Sequence, residues 1–136
     1  VGATIVLADD DDDLRAVYAA WLRQLGYTVI EAADGDAAVA LVRTAQPDLL
    51  LLDLWMPARN GLEVLDALRH DPAADRLRVA MLSAAGDADA RLECFGAGAS
   101  AYLVKGGPLD DLRRQIEALL AASPPADDPD PAGAPP

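Results

Sequence analysis

The stretch Asp48–Pro57, DLLLLDLWMP, decides how the chain is to be read. Its four consecutive leucines leave neither side of a strand polar. A strand of that kind is buried on both faces, the pattern of a parallel sheet covered by helices above and below. Asp53 interrupts the run where its neighbours are suited to burial. A carboxylate in such a place is costly unless something compensates it, so Asp53 is a functional candidate at once.

Working outward, other short runs have the length and branched content of strands: TIVLA at Thr4–Ala8, YTVIEA at Tyr27–Ala32, RVAMLSA at Arg78–Ala84 and AYLVK at Ala101–Lys105. Helical patterns lie between them. Leu14, Val17, Tyr18, Trp21, Leu22 and Leu25 recur on one helical face, closed by Gly26. Asp34 is placed to cap a helix over Asp36–Gln46, which Pro47 stops. Leu62, Leu65 and Leu68 mark a third helix, and Leu92 with Phe95 a fourth. Leu109, Leu112, Ile116, Leu119 and Leu120 mark a fifth, with Pro108 in its first turn. Strands alternating with helices in this way imply an α/β fold, doubly wound, with right-handed crossovers.

The chain has 136 residues, enough for one domain with a proper core. The domain is expected over residues 1–122. Residues 123–136, SPPADDPDPAGAPP, hold six of the ten prolines and no large apolar side chain. They are expected to form a disordered linker or tail. The net charge of −12 argues against nucleic acid as a direct partner, because phosphate binding needs clustered Lys and Arg. It is compatible with cation binding or a basic protein partner. A lone cysteine, Cys94, cannot form an internal disulfide, so a reducing cytoplasmic setting is expected. No apolar stretch approaches the roughly 18 residues of a membrane span.

In doubly wound sheets the functional crevice lies at the carboxyl ends of the strands. Strand one ends at Asp9 and Asp10, strand three at Asp53, strand four at Ser83 and strand five at Lys105. Taken singly, each has an ordinary reading: a solvated turn, a strand-end cap, a surface lysine. Their joint occurrence at successive strand ends points to one pocket. Carboxylates about 4 Å apart repel by roughly 4 kcal/mol per pair at an effective dielectric near 20, so together they call for a cation. A few hard oxygen ligands without His or Cys select Mg²⁺, with Mn²⁺ as the alternative. Asp11, Asp12 and Asp13 need no such role, since acids in a first helical turn favour the helix dipole.

From Thr4 to about Leu120 the sequence resembles the receiver domain of two-component response regulators. The resemblance rests on DDDDDLR after strand one, LLLLDLWMPARNG around strand three, MLSAA at strand four and GASAYLVK at strand five. It implies a flavodoxin-like (βα)5 fold with a five-stranded parallel sheet of order 2-1-3-4-5. Asp53 would be the phosphoacceptor. Asp10 would be a direct Mg²⁺ ligand, Asp9 would act mainly through water, and the Trp55 backbone carbonyl would complete the protein ligands. Ser83 would be the switch hydroxyl, Lys105 the ammonium that pairs with the phosphoryl group, and Tyr102 the switch aromatic. The implied partners are a sensor histidine kinase or phosphotransfer protein, an output domain beyond the tail, and a second copy docked through the fourth helix, strand five and the fifth helix. No dedicated turnover is implied beyond self-catalysed phosphorylation and slow autodephosphorylation.

The sequence departs from the receiver pattern at strand five. Receivers usually carry Lys-Pro there, often with a cis peptide, whereas this chain has Lys105-Gly106-Gly107. A cis bond without proline costs about 2.5–4 kcal/mol, so a trans bond or a mobile loop is expected. Trp55, with small Ala85 opposite, would shield an acyl phosphate; simple packing of Trp55 is the competing reading. Two other function classes remain in view. A pseudo-receiver would keep the fold as a binding module without phosphorylation. A small aspartyl phosphatase of the haloacid dehalogenase type is disfavoured by Asp13 in its motif and by the lack of room for a cap domain.

Overall fold

In the computed structural model, which describes residues 2–83, Gly96 and 98–121, the strands fall where the apolar runs predict. They are β1 Thr4–Ala8, β2 Thr28–Ala32, β3 Leu49–Leu52, β4 Arg78–Ser83 and β5 Ala101–Val104. Every neighbouring pair is parallel and the order is β2-β1-β3-β4-β5. Helices α1 Asp12–Gln24, α2 Gly35–Ala45 and α3 Gly61–Arg69 connect the first strands, and a helix over Leu109–Ala121 follows β5. Leu92 and Phe95 of the expected fourth helix, with Ala85, Cys94 and the tail 123–136, lie outside the described residues.

The leucine run divides by parity. Leu50 and Leu52 join Val6, Ala8 and Met81 in a core closed by Val39 and Val42 of α2 and Val64, Leu65 and Leu68 of α3. Leu49 and Leu51 join Ile5, Leu7, Ala80 and Leu82 in a second core closed by Tyr18, Ala19 and Leu22 of α1 and by Leu112 and Ile116 of the C-terminal helix. All four leucines are essentially inaccessible. Each contributes about 1.5–3 kcal/mol of transfer free energy, which holds the central strand between the two cores.

The α1 stripe is narrower than its periodicity predicts. Tyr18 and Leu22 are buried, and Leu14 and Trp21 pack at the edge of the core, but Val17 is 63% exposed and Leu25 is exposed beyond the helix end. The inward arc is centred on Tyr18, Ala19 and Leu22, and small Ala19 takes a place the apolar pattern assigns to Val17. In the C-terminal helix Leu109, in the first turn, is likewise exposed.

The helix ends follow from local chemistry. The Asp11 side chain accepts from Leu14 N at 3.1 Å, and Asp12 and Asp13 fill the first turn of α1. Gly26, at φ +101°, closes that helix as its N–H donates to Arg23 O and the Tyr27 N–H donates to Leu22 O. Asp34 caps α2 as expected, accepting from Ala37 N at 2.8 Å. That helix stops one residue earlier than its pattern, because Gln46 turns left-handed at φ +46°. A side chain at such a position is strained where glycine is not. Gln46→Gly is therefore expected to stabilise the domain by about 0.5–1 kcal/mol, read as a higher urea midpoint at unchanged m-value.

Candidate functional site

The parallel ladder carries two acids to the same level. Beyond the last strand pairs, Asp9 N donates to Ala32 O at 3.0 Å and Asp53 N donates to Ala8 O at 2.9 Å. Both backbones are thus pinned at the carboxyl edge of the sheet, with Asp9 1% and Asp53 7% exposed. Asp10 stands beside them on the open side. One carboxylate oxygen from each of Asp9, Asp10 and Asp53 lies within 4.8 Å of the other two.

Lys105, just past β5, closes the cluster from the far side. Its Nζ is 2.7 Å from Asp9 Oδ2 and 3.3 Å from Asp53 Oδ2. Burial pushes the Asp53 carboxyl up, Lys105 pulls it down, and Asp9 pushes it up again; the balance leaves it raised from 3.8 to about 6. A hydrogen bond from the Trp55 backbone also favours its charged form. Burial alone would lower the Lys105 ammonium, but pairing with Asp9 and Asp53 outweighs it and the net direction is up. Three carboxylates against one ammonium leave the pocket negative. An all-oxygen donor set of this kind, open on the Asp10 side, suits a small hard divalent cation.

Ser83 is buried at the end of β4, and its carbonyl accepts from Lys105 N at 2.8 Å. The Tyr102 ring is buried on the α2 and α3 side of the sheet, level with Met81. Trp55 is not core: it is 66% exposed, two residues past Asp53, which removes simple packing as its explanation. No cis peptide bond occurs among the described residues, so Lys105–Gly106 is trans as expected.

Two supporting residues escaped the sequence reading. Arg15, nearly buried, donates from Nη1 to Asp9 O at 2.6 Å and from Nε to Glu31 Oε1 at 3.1 Å, fixing the turn that presents Asp9. Its one signal was its place as the first base after the acidic run. Gly61 has no room for a side chain: a Cβ there would lie 2.8 Å from Asp53 O and 2.6 Å from Met81 Cε. Its N–H donates to Leu54 O at 2.7 Å, and Asn60 and Glu63 form a reciprocal cap over the same turn.

Comparison with known proteins agrees with this geometry. Residues 5–117 match the family described as "Response regulator receiver domain". The phosphate regulon transcriptional regulatory protein PhoB of Pseudomonas aeruginosa is 32% identical over 127 residues, covering 93% of this chain and 56% of that protein. The response regulator MprA of Mycobacterium avium is 36% identical over 124 residues, covering 91% and 54%. The chain spans about half the length of these curated relatives. Among solved structures, a putative response regulator from Chloroflexus aurantiacus superposes with a TM-score of 0.85 at 32% identity, covering 90% of this chain and all of that one. The receiver domain of a sensor histidine kinase from Pseudomonas aeruginosa, solved with a magnesium ion coordinated in its active site cleft, gives 0.83 at 29% identity, covering 90% and 100%. The chain belongs to the receiver domain family of two-component response regulators. No helix among the described residues is long and apolar enough to cross a membrane.

The raised Asp53 carboxyl has a definite sign in stability. An acid whose folded value exceeds its unfolded one takes up protons on folding, so its ionisation opposes the fold. In chelator-treated protein, the stability of wild type relative to Asp53→Asn should fall as pH rises from about 4 to about 6, then level off. Urea titrations at stepped pH check this; a rising difference over that window contradicts it. At pH 7, a divalent cation bound by this cluster, at ten times its wild-type Kd, would stabilise the domain by about 1.4 kcal/mol, and Asp10→Asn at the same cation concentration should reduce that gain.

Proposed function

We propose that the domain accepts a phosphoryl group on Asp53 from a phosphohistidine of a sensor histidine kinase or phosphotransfer protein. The observation that supports this best is the buried Asp53 carboxylate held between Asp9 and Lys105 at the strand ends. An Asp53 carboxylate oxygen attacks phosphorus in line, the bond from phosphorus to the donor imidazole nitrogen breaks, and the electron pair leaves with the imidazole. The product is an acyl phosphate on Asp53.

Mg²⁺ held by Asp9, Asp10, Asp53 and the Trp55 backbone carbonyl would neutralise charge on the transferring group. Mn²⁺ would serve in the same donor set. Lys105, already paired to the cluster, supplies a fixed ammonium for a phosphoryl oxygen. Ser83, buried at the neighbouring strand end, supplies the hydroxyl. Because the Ser83 carbonyl already accepts from Lys105 N, movement of either strand end is transmitted to the other. Tyr102, three residues before Lys105 on β5, would follow it. The change would be read on the surface of β5, where Val104 is exposed, and of the helix Leu109–Ala121. That surface would take a second copy of the domain or an output domain following residues 123–136.

Incubation with acetyl phosphate and Mg²⁺ should add one phosphoryl group in the intact mass, and Asp53→Asn should abolish it. Beryllofluoride with Mg²⁺ should change Trp55 fluorescence. Absence of both responses would favour the pseudo-receiver. Trp55, exposed two residues past Asp53, would hinder water from reaching the acyl phosphate, so Trp55→Asn should shorten the phosphoryl half-life several-fold. An unchanged half-life refutes the shield.

A further inference from the structure

Lys105 must hold its ammonium against two carboxylates, yet the backbone that follows it is poorly suited to holding anything. Gly106 and Gly107 are the least restrained residues a chain can offer. Gly106 sits at φ +81°, and no described residue lies within 4 Å of where its Cβ would be. Among the described residues, packing at the Gly106 Cβ position does not hold this turn, and two hydrogen bonds do: Lys105 N to Ser83 O at 2.8 Å, and Gly106 N to the Tyr18 hydroxyl at 3.1 Å.

The second bond is unusual in its reach. Tyr18 stands on α1, 88 residues earlier, with its ring buried in the core beneath β1 and β3 and edge-on to Trp21. That ring is fixed by packing, so its hydroxyl is a fixed acceptor at the exit of β5. The donor exists because residue 106 has a backbone N–H, and the turn exists because glycine tolerates φ +81°. We propose that Tyr18 is a positioning residue for phosphoryl transfer: its hydroxyl, by holding the Gly106 N–H, keeps Lys105 seated against Asp9 and Asp53. The same bond links α1, the helix that begins directly after the acidic loop, to the loop that carries the lysine.

The inference rests on Asp53 being the phosphoacceptor, so its test includes a measurement that does not need phosphorylation. Tyr18→Phe keeps the ring and its packing and removes only the hydroxyl that accepts from Gly106 N. In the unphosphorylated protein, amide exchange at Gly106 should quicken about fivefold, the equivalent of one net hydrogen bond. The Lys105 ammonium signal in nitrogen-15 NMR should broaden as its pairing loosens. Phosphorylation by acetyl phosphate with Mg²⁺ should slow several-fold. Val42→Ala, a core change on the opposite face of the sheet, serves as control: it should lower the melting temperature and leave the Lys105 signal and the rate unmoved. Tyr18→Phe with an unaltered Lys105 signal and an unaltered rate overturns the proposal. If wild type takes no phosphoryl group while the Lys105 signal still broadens in Tyr18→Phe, the phosphoacceptor reading fails and the positioning contact stands.

Discussion

The structure depends on two aspartates held side by side at the carboxyl edge of a parallel sheet. Asp9 and Asp53 are one ladder step beyond β1 and β3, so adjacent strands deliver them to the same level. Both are buried, and their mutual repulsion has to be offset within a few ångströms. Lys105 supplies part of that offset by bridging them. The remainder is excess negative charge that a cation or a transferring phosphoryl group with its cation can use. Burial is thus not incidental to the chemistry: it raises the Asp53 carboxyl and strengthens every charge interaction in the pocket.

The rest of the fold serves that placement. The leucines of β3 are sealed on both faces, which fixes the height at which Asp53 emerges. Gly61 lets the turn after β3 fold back against the Asp53 carbonyl, and Arg15 ties the Asp9 turn to Glu31. On the far side, Ser83 and Tyr18 hold the backbone on either side of the Lys105 peptide link. Each anchor comes from a different element, so the lysine is positioned by the tertiary structure and not by its own loop.

Much of this was legible in the chain. Apolar runs located the strands, and strand ends located Asp9, Asp10, Asp53, Ser83 and Lys105, because a parallel sheet converts sequence position into spatial convergence. The capping roles of Asp11 and Asp34 were legible because caps are local. What escaped was non-local. Val17 fits the helical period, but the arc of α1 that faces the sheet is centred on Tyr18, Ala19 and Leu22. Gly61 matters through a contact with Met81, a residue on another strand. Tyr18 looks like core in sequence and is core; its hydroxyl acquires a partner only when β5 ends beside α1. The exposure of Trp55 was hidden for the same reason, since an aromatic in an apolar run carries no sign of which way its turn points.

Of the three clustered carboxylates, Asp53 is the one proposed to take the phosphoryl group. Borohydride reduction of the protein after treatment with acetyl phosphate and Mg²⁺ converts an acyl phosphate to the corresponding alcohol, and peptide mass mapping then locates it. The reduced residue is expected at position 53 alone. Reduction at Asp9 or Asp10, or none in folded protein saturated with Mg²⁺, would contradict it.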